Sequence, residues 1–153
     1  MKKKMDRKYA LSGMLLITMT GLVLGYLALD MGRSQGVTFD QLSASPDRYR
    51  GKIIVIEGFY FQGWETIVLC EELEHSGLAE GHLVPKGDMI WVEGGIPEEV
   101  FEALYLQEMM GPEERFGKVR VQGRYEHGGE YGHLGGFNSQ IIPSEVEMLQ
   151  WSP

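Results

Sequence analysis

Glu126, His127, Glu130 and His133 fall within eight residues of one another, interleaved with Gly128, Gly129, Gly132, Gly135 and Gly136. On a tight hairpin, two imidazoles and a carboxylate can converge on one cation. Glycine supplies the positive φ angles such a hairpin needs. His127, His133 and Glu130 are therefore the candidate metal ligands. The structural alternative is that the glycines only shape the turn while His133 bonds to backbone. A second set, Cys70, His75 and His82, has spacings of five and seven residues. These match no structural zinc pattern closely, and the set reads better as chance histidines on a loop. Cys70 is the only cysteine, so no intrachain disulfide can form.

A hairpin needs only about two to five connecting residues. The segment from Glu126 to Phe137 spends more than that, five glycines among them, and still carries His127, Tyr131, His133 and Phe137. Ordering so much glycine costs chain entropy, which suggests a constraint on loop shape. This hairpin and the neighbouring aromatic face are expected to contact a protein or small ligand. The alternative is that Tyr131 and Phe137 cap an open end of the fold.

No Ser-His-Asp order with a supporting motif, no nucleophile elbow and no phosphate loop occurs. No catalytic residue is assigned, no cofactor is expected, and the chain reads as non-enzymatic. Charge narrows the partners. Residues 1–9 hold five basic groups and one acid; the remainder holds 9 basic and 21 acidic residues, a net charge of −12. Such a surface repels phosphate backbones, so no nucleic-acid partner is expected. Lys118, Arg120 and Arg124 form a basic stripe, read as a solvated strand face paired with nearby glutamates.

Several elements must position these groups. Ala10 to Leu29 is 20 residues without a charge. As a helix it would span about 30 Å, the thickness of a bilayer core. A cleaved signal peptide has a shorter apolar core and a small-x-small site, and Tyr26-Leu27-Ala28-Leu29-Asp30 offers no good one. The segment is expected to be an uncleaved signal-anchor: a cytoplasmic basic flank over 1–9, a transmembrane anchor over 10–29, a linker over 30–36 and a soluble domain over 37–153. Basic residues before Ala10 place the C-terminal domain outside, giving a single-pass inner-membrane localisation with the membrane as partner.

Within 37–153, Thr38 with Gln41 three residues on predicts a capped short helix. Lys52 to Phe61, Trp64 to Cys70, Met89 to Glu93, Lys118 to Glu126 and Gln140 to Met148 read as strands. Gly58 and Gly123 interrupt the first and fourth, as at barrel corners. Glu71 to Asp88 reads as a long loop. Pro97 to Met110 places Val100, Phe101, Leu104 and Leu106 near helical spacing, with Glu98 and Glu99 in the first turn.

The order β-β-β-α-β-β, with the short lead-in helix ending in Tyr49-Arg50-Gly51-Lys52 and the pair Val55-Ile56-Glu57-Gly58 and Val121-Gln122-Gly123, resembles the OB-fold, a five-stranded Greek-key barrel. An SH3-like barrel is the rival, but it would not need the helix. The stretch GRYEHGGEYGHLGGF, Gly123 to Phe137, is similar to hairpins in uncharacterised bacterial membrane-anchored OB proteins. The expected fold class is mostly β: an OB-type barrel with one helix between strands three and four, preceded by the transmembrane helix.

The OB resemblance implies binding on the outer face of strands two and three. Trp64, Glu65, Trp91 and Glu93 stand there, with Tyr60 on the adjoining strand. The alternative is that both tryptophans close the barrel. Tyr60, Trp64, Trp91, Tyr131 and Phe137 are thus the expected ligand contacts, suited to stacking a sugar or peptide side chain. His127 and Tyr131 also spell H-x-x-x-Y, which resembles the haem chaperone of cytochrome c maturation. In that family the histidine lies beyond the last strand; here Gln140 to Met148 still follows. The expected function is a membrane-anchored, extracytoplasmic binding or scaffolding module; the alternative is metal or haem handling by the His127/His133 hairpin.

Overall fold

The computed structural model describes residues 35–108, 111 and 113–153. Its elements in chain order are β1 (Gln35–Val37), α1 (Phe39–Ala44), α2 (Pro46–Tyr49), β2 (Ile53–Gln62), β3 (Ile67–His75), β4 (Leu83–Val92), α3 (Glu98–Ala103), β5 (Tyr105–Gln107), β6 (Glu114–Tyr131) and β7 (Phe137–Met148). β2, β3, β4, β7 and β6 neighbour one another in that order, and β6 pairs back onto β2. The result is a closed five-stranded barrel. β4 and β7 run parallel through two pairs, Trp91 with Gln140 and Val92 with Ile141; the other barrel pairings are antiparallel. This is the OB-type arrangement the element order implies.

Strand alternation builds the core. Ile54, Ile56 and Tyr60 of β2, Leu69 of β3, Ile90 and Val92 of β4, Val119, Val121 and Tyr125 of β6 and Ile141 of β7 fill the interior. On the opposite face Phe61, Val68, Leu83 and Phe116 form a second cluster, with Trp91, Phe137 and Trp151 packed against it. The lead-in helix is capped as the sequence requires. The Gln41 N–H donates to Thr38 Oγ1 at 3.3 Å, and the Thr38 N–H donates to Gln41 Oε1 at 3.1 Å. Phe39 and Leu42 are thereby driven into the core.

Gly58 and Gly123 sit where another segment comes too close for a side chain. A Cβ on Gly58 would lie 2.7 Å from the Cys70 carbonyl oxygen, and one on Gly123 would lie 2.5 Å from that of Ile142. The glycines therefore mark close crossings in the barrel wall.

Two expected elements differ. The helix predicted over Pro97 to Met110 covers only Glu98–Ala103. Leu104 turns extended (φ −66°, ψ 151°), and Tyr105, Leu106 and Gln107 pair with Phe116, Arg115 and Glu114 as β5. Tertiary pairing overrides the local helical spacing; Val100 and Leu104 still enter the core, but Leu106 is exposed. The loop predicted over Glu71 to Asp88 is largely a hairpin extending β3 and β4, with Glu72 opposite Lys86 and His75 opposite Leu83. Lys86 Nζ lies 3.8 Å from Glu72 and 3.4 Å from Glu74. Much of this ribbon is solvated, so its sequence lacks the apolar alternation that marks a strand.

β5 ends in a side-chain clamp. Leu83 N donates to Gln107 Oε1 at 3.0 Å, and Gln107 Nε2 donates to Leu83 O at 2.7 Å. The amide so occupies both backbone groups of Leu83 on the edge of β4 turned away from β3.

The N-terminal transmembrane helix is corrected out of the fold class. Among the described residues no helix is long and apolar enough to cross a membrane, the longest having six residues. The expected anchor over 10–29, with the flank over 1–9, lies outside the described residues. The single-pass inner-membrane localisation, the membrane as partner and the membrane-anchored, extracytoplasmic function rested on that helix and are withdrawn with it. Gln35 and Gly36, expected as linker, belong to β1, which pairs parallel with β2.

Candidate functional site

The connection between β2 and β3 is a tight turn in which Gly63 N donates to Thr66 O at 2.8 Å. It projects Trp64, which is 81% exposed. The connection between β6 and β7 is Gly132 to Gly136, containing a short 3-10 turn over His133–Gly135. The two loops approach each other, with His133 Nε2 3.5 Å from Glu65 Oε1. Leu134, at the tip of the second loop, is 92% exposed and takes φ +53°, a left-handed conformation costly for leucine.

An open cleft lies on each side of Trp64. One, of about 440 Å³, is walled by Phe61, Gly63, Trp64, Glu65, Thr66 and Glu114. The other, of about 280 Å³, is walled by Trp64, Glu65, Ile67, Trp91, Glu93, Gly132 and His133. Trp91 is half-buried: its ring packs on Phe137 at a centroid distance of 5.5 Å, and its Nε1–H donates to Glu93 Oε2 at 2.9 Å. It serves partly as packing and partly as cleft wall. A Cβ on Gly132 would fall 2.5 Å from Trp91 Cε3, so glycine is what lets the loop lie flat on the indole.

The expected contacts divide. Trp64 and Trp91 wall the clefts. Phe137 supports Trp91 from behind. Tyr131 pairs with Phe137 across the hairpin, its ring over Gly129, and walls neither cleft. Tyr60 is fully buried, with its hydroxyl donating to Gln62 Oε1 at 2.7 Å. Burial pushes its phenol up to about 12.

The metal set does not assemble. His127 Nδ1 lies 2.8 Å from Ser139 Oγ, and its ring stacks on Tyr125 at 6.3 Å. Tyr125 shares the same hydroxyl at 3.0 Å. His133 instead faces Glu65, and Glu130 lies exposed over Gly135. Among the described residues no group of three or more His, Cys, Asp or Glu side chains could hold a metal ion. Metal or haem handling by the His127/His133 hairpin is corrected accordingly: the strand pairing of His127 with Ser139 pins that ring to the barrel wall. Cys70, His75 and His82 are equally apart. Cys70 is in the barrel wall, fully buried, and His75 is exposed at the end of β3. The two arginines of the basic stripe are paired: Arg120 contacts Glu57 at 2.8 Å and Glu147 at 2.7 Å, and Arg124 contacts Glu126 at 3.2 Å.

Three residues behind the larger cleft were not singled out by sequence for this end of the barrel. His82 is buried. Its Nδ1 lies 2.8 Å from Ser76 Oγ and its Nε2 2.9 Å from Glu114 Oε2. Gln107 Nε2 donates to the same carboxylate oxygen at 2.8 Å. Glu114 is thus fixed from behind, with Oε1 on the side of Gly63. No local signal could have found this trio, since 32 residues separate His82 from Glu114. The barrel is of a type used for binding. No protein-family model, no curated protein and no solved structure matches the chain.

Proposed function

We propose that the chain is a non-enzymatic binding module whose ligand site is the pair of clefts flanking Trp64. The observation that carries this is the position of Trp64, 81% exposed between two clefts at the mouth of the barrel. A tryptophan left almost wholly in water forgoes its large burial energy, and at a concave site that cost is recovered when a ligand covers the ring. Support also comes from the setting: the clefts lie beside the two loops that flank the binding face in OB barrels generally. Trp91, Glu65, Glu93 and His133 complete the contact surface, and Phe137 backs it.

The test is a titration of the full chain with peptides and neutral oligosaccharides, followed by tryptophan emission. At least one ligand should shift the emission saturably, and its affinity should fall on the order of tenfold in Trp64→Ala, the loss expected for an aromatic contact. Ligands that bind equally well without Trp64 would place the site elsewhere.

A further inference from the structure

We infer that the ligand of these clefts is an arginine-bearing peptide segment with apolar neighbours. This rests on the clefts being the binding site, and it follows from counting which polar groups they offer. Three carboxylates wall them: Glu65 in both, Glu93 in the smaller and Glu114 in the larger. Among the described residues no lysine or arginine walls either cleft; the other polar side chains there are Thr66 and His133, with His133 Nε2 3.5 Å from Glu65 Oε1.

Two of these carboxylates are held with one oxygen occupied and the other unspent. Glu114 Oε2 takes hydrogen bonds from Gln107 and His82, while Oε1 has no bond among the described residues and lies on the Gly63 side. Glu93 Oε2 takes the indole N–H of Trp91. That bond also spends the only donor on Trp91 and leaves its ring as a purely aromatic wall. Acceptors are therefore in excess, and they are fixed before any ligand arrives.

A ligand suited to this surface must be rich in donors, positively charged and able to lie against a ring. A guanidinium meets all three needs: five N–H donors in a plane, a permanent charge and a face that stacks on indole. A neutral sugar can donate hydroxyls but leaves the carboxylate charges unneutralised. A polyanion is repelled by a chain carrying −12 over residues 10–153. The rim extends the requirement beyond a single side chain. Trp64 and Leu134, 81% and 92% exposed, stand on the two loops bordering the clefts. Leu134 occupies a left-handed position where glycine would sit without strain. An apolar side chain kept there suits a ligand with apolar residues beside its arginine, as a peptide has and free arginine does not.

The experiment titrates the full chain with an acetylated peptide alternating leucine and arginine, its citrulline counterpart, and a neutral chito-oligosaccharide, in physiological salt. Citrulline keeps the size and planarity of arginine but removes the charge. The arginine peptide should bind saturably and the citrulline peptide on the order of tenfold or more weaker. The double variant Glu65→Gln with Glu93→Gln, and separately Glu114→Gln, should weaken the arginine peptide by a similar factor. A control removing the same two charges outside the clefts, Glu98→Gln with Glu145→Gln, should leave it within about twofold.

Equal binding of the citrulline peptide, or no saturable binding of the arginine peptide, would overturn the inference. Tighter binding of the oligosaccharide, lost in Trp64→Ala, would overturn it while leaving the clefts as the site. Binding of the arginine peptide that ignores Trp64→Ala and the cleft glutamates would remove the clefts themselves.

Discussion

Gly132 lies directly on the indole of Trp91: a Cβ at this position would stand 2.5 Å from Cε3 and 2.6 Å from Cδ2 of the ring. The loop and the cleft wall are in effect one packed unit. Because the backbone there also has φ +70°, alanine would meet both a steric and a conformational penalty. Gly132→Ala should lower stability by about 2–3 kcal/mol and shift Trp91 emission. Gly128→Ala is the comparison. Its φ is +83°, but its nearest neighbour, an Arg50 nitrogen, is 3.8 Å away, so only the conformational cost of about 1 kcal/mol applies. Equal losses in thermal melts of the two variants would show that the indole contact contributes nothing.

The close crossings at Gly58 and Gly123 give a second expectation. Valine at either position collides with a backbone oxygen, and at Gly58 also with the Phe39 ring at 2.9 Å. Each variant should lose roughly 1–3 kcal/mol in denaturant titration. Gly36, with nothing within 4 Å, should accept alanine with little change. Gly58→Val and Gly123→Val melting like the parent would contradict the packing of the barrel wall.

Alkaline pH should unfold the protein by a defined route. Burial pushes the Cys70 thiol from its ordinary 9.0 up to about 12, and the Tyr60 phenol from 10.0 up to about 12. Between these limits the unfolded chain loses protons that the folded chain keeps, so stability must fall as pH rises. It is fully present below about 9 and is lost progressively toward 12, at about 1 kcal/mol per pH unit for each group. Urea midpoints measured from neutral to strongly alkaline pH should decline over that window, and Tyr60→Phe should flatten the decline. Iodoacetamide should label Cys70 only once the chain unfolds. Rapid labelling of the native protein at mildly alkaline pH would refute the burial.

His82 should matter to stability more than its loop position suggests. It joins Ser76 on the β3–β4 connection to Glu114 at the start of β6. His82→Phe fills the space but strands these hydrogen bonds, with an expected loss of about 1–3 kcal/mol. The readout is equilibrium unfolding, paired with hydrogen exchange at β5, where Gln107 shares the same carboxylate oxygen. Unchanged exchange there would mean that the histidine is not part of that support.

Much of the barrel is legible residue by residue. The alternation of Val119, Val121 and Tyr125 against Lys118, Arg120 and Arg124 identifies β6 because one face is buried and the other wet. Thr38 and Gln41 announce α1 because a capping box is a local interaction. The misread elements are those decided at a distance. Tyr105 to Gln107 have helical spacing from the residues before them, yet pairing with Glu114 to Phe116 makes them a strand. In the mostly solvated ribbon from Glu71 to Asp88, Leu73 and Leu83 join the second cluster but are too few to mark the strands by alternation. At the site, Trp64, Trp91 and Glu65 could be placed from element order alone, since the loops between strands converge at one end of such a barrel. Glu114 could not, because its place beside Gly63 depends on His82, 32 residues away, and on Gln107, which reaches it only once β5 has paired with β6. The opposite error befell His127: glycine-rich spacing suggested a free imidazole, and strand register gave it to Ser139.

The Gln107 amide on the backbone of Leu83 has a consequence for how copies of this chain meet. An uncovered strand edge is a template on which another chain can add, the first step of fibril growth and of domain exchange. A glutamine side chain carries the same donor and acceptor as a peptide unit, so at Leu83 the template is already read by the molecule itself. Two residues further along the same edge stands Pro85, which has no N–H to offer. Molecules meeting along β4 thus find their first two rungs missing, and crowding of this chain should produce dispersed copies rather than sheets extended end over end.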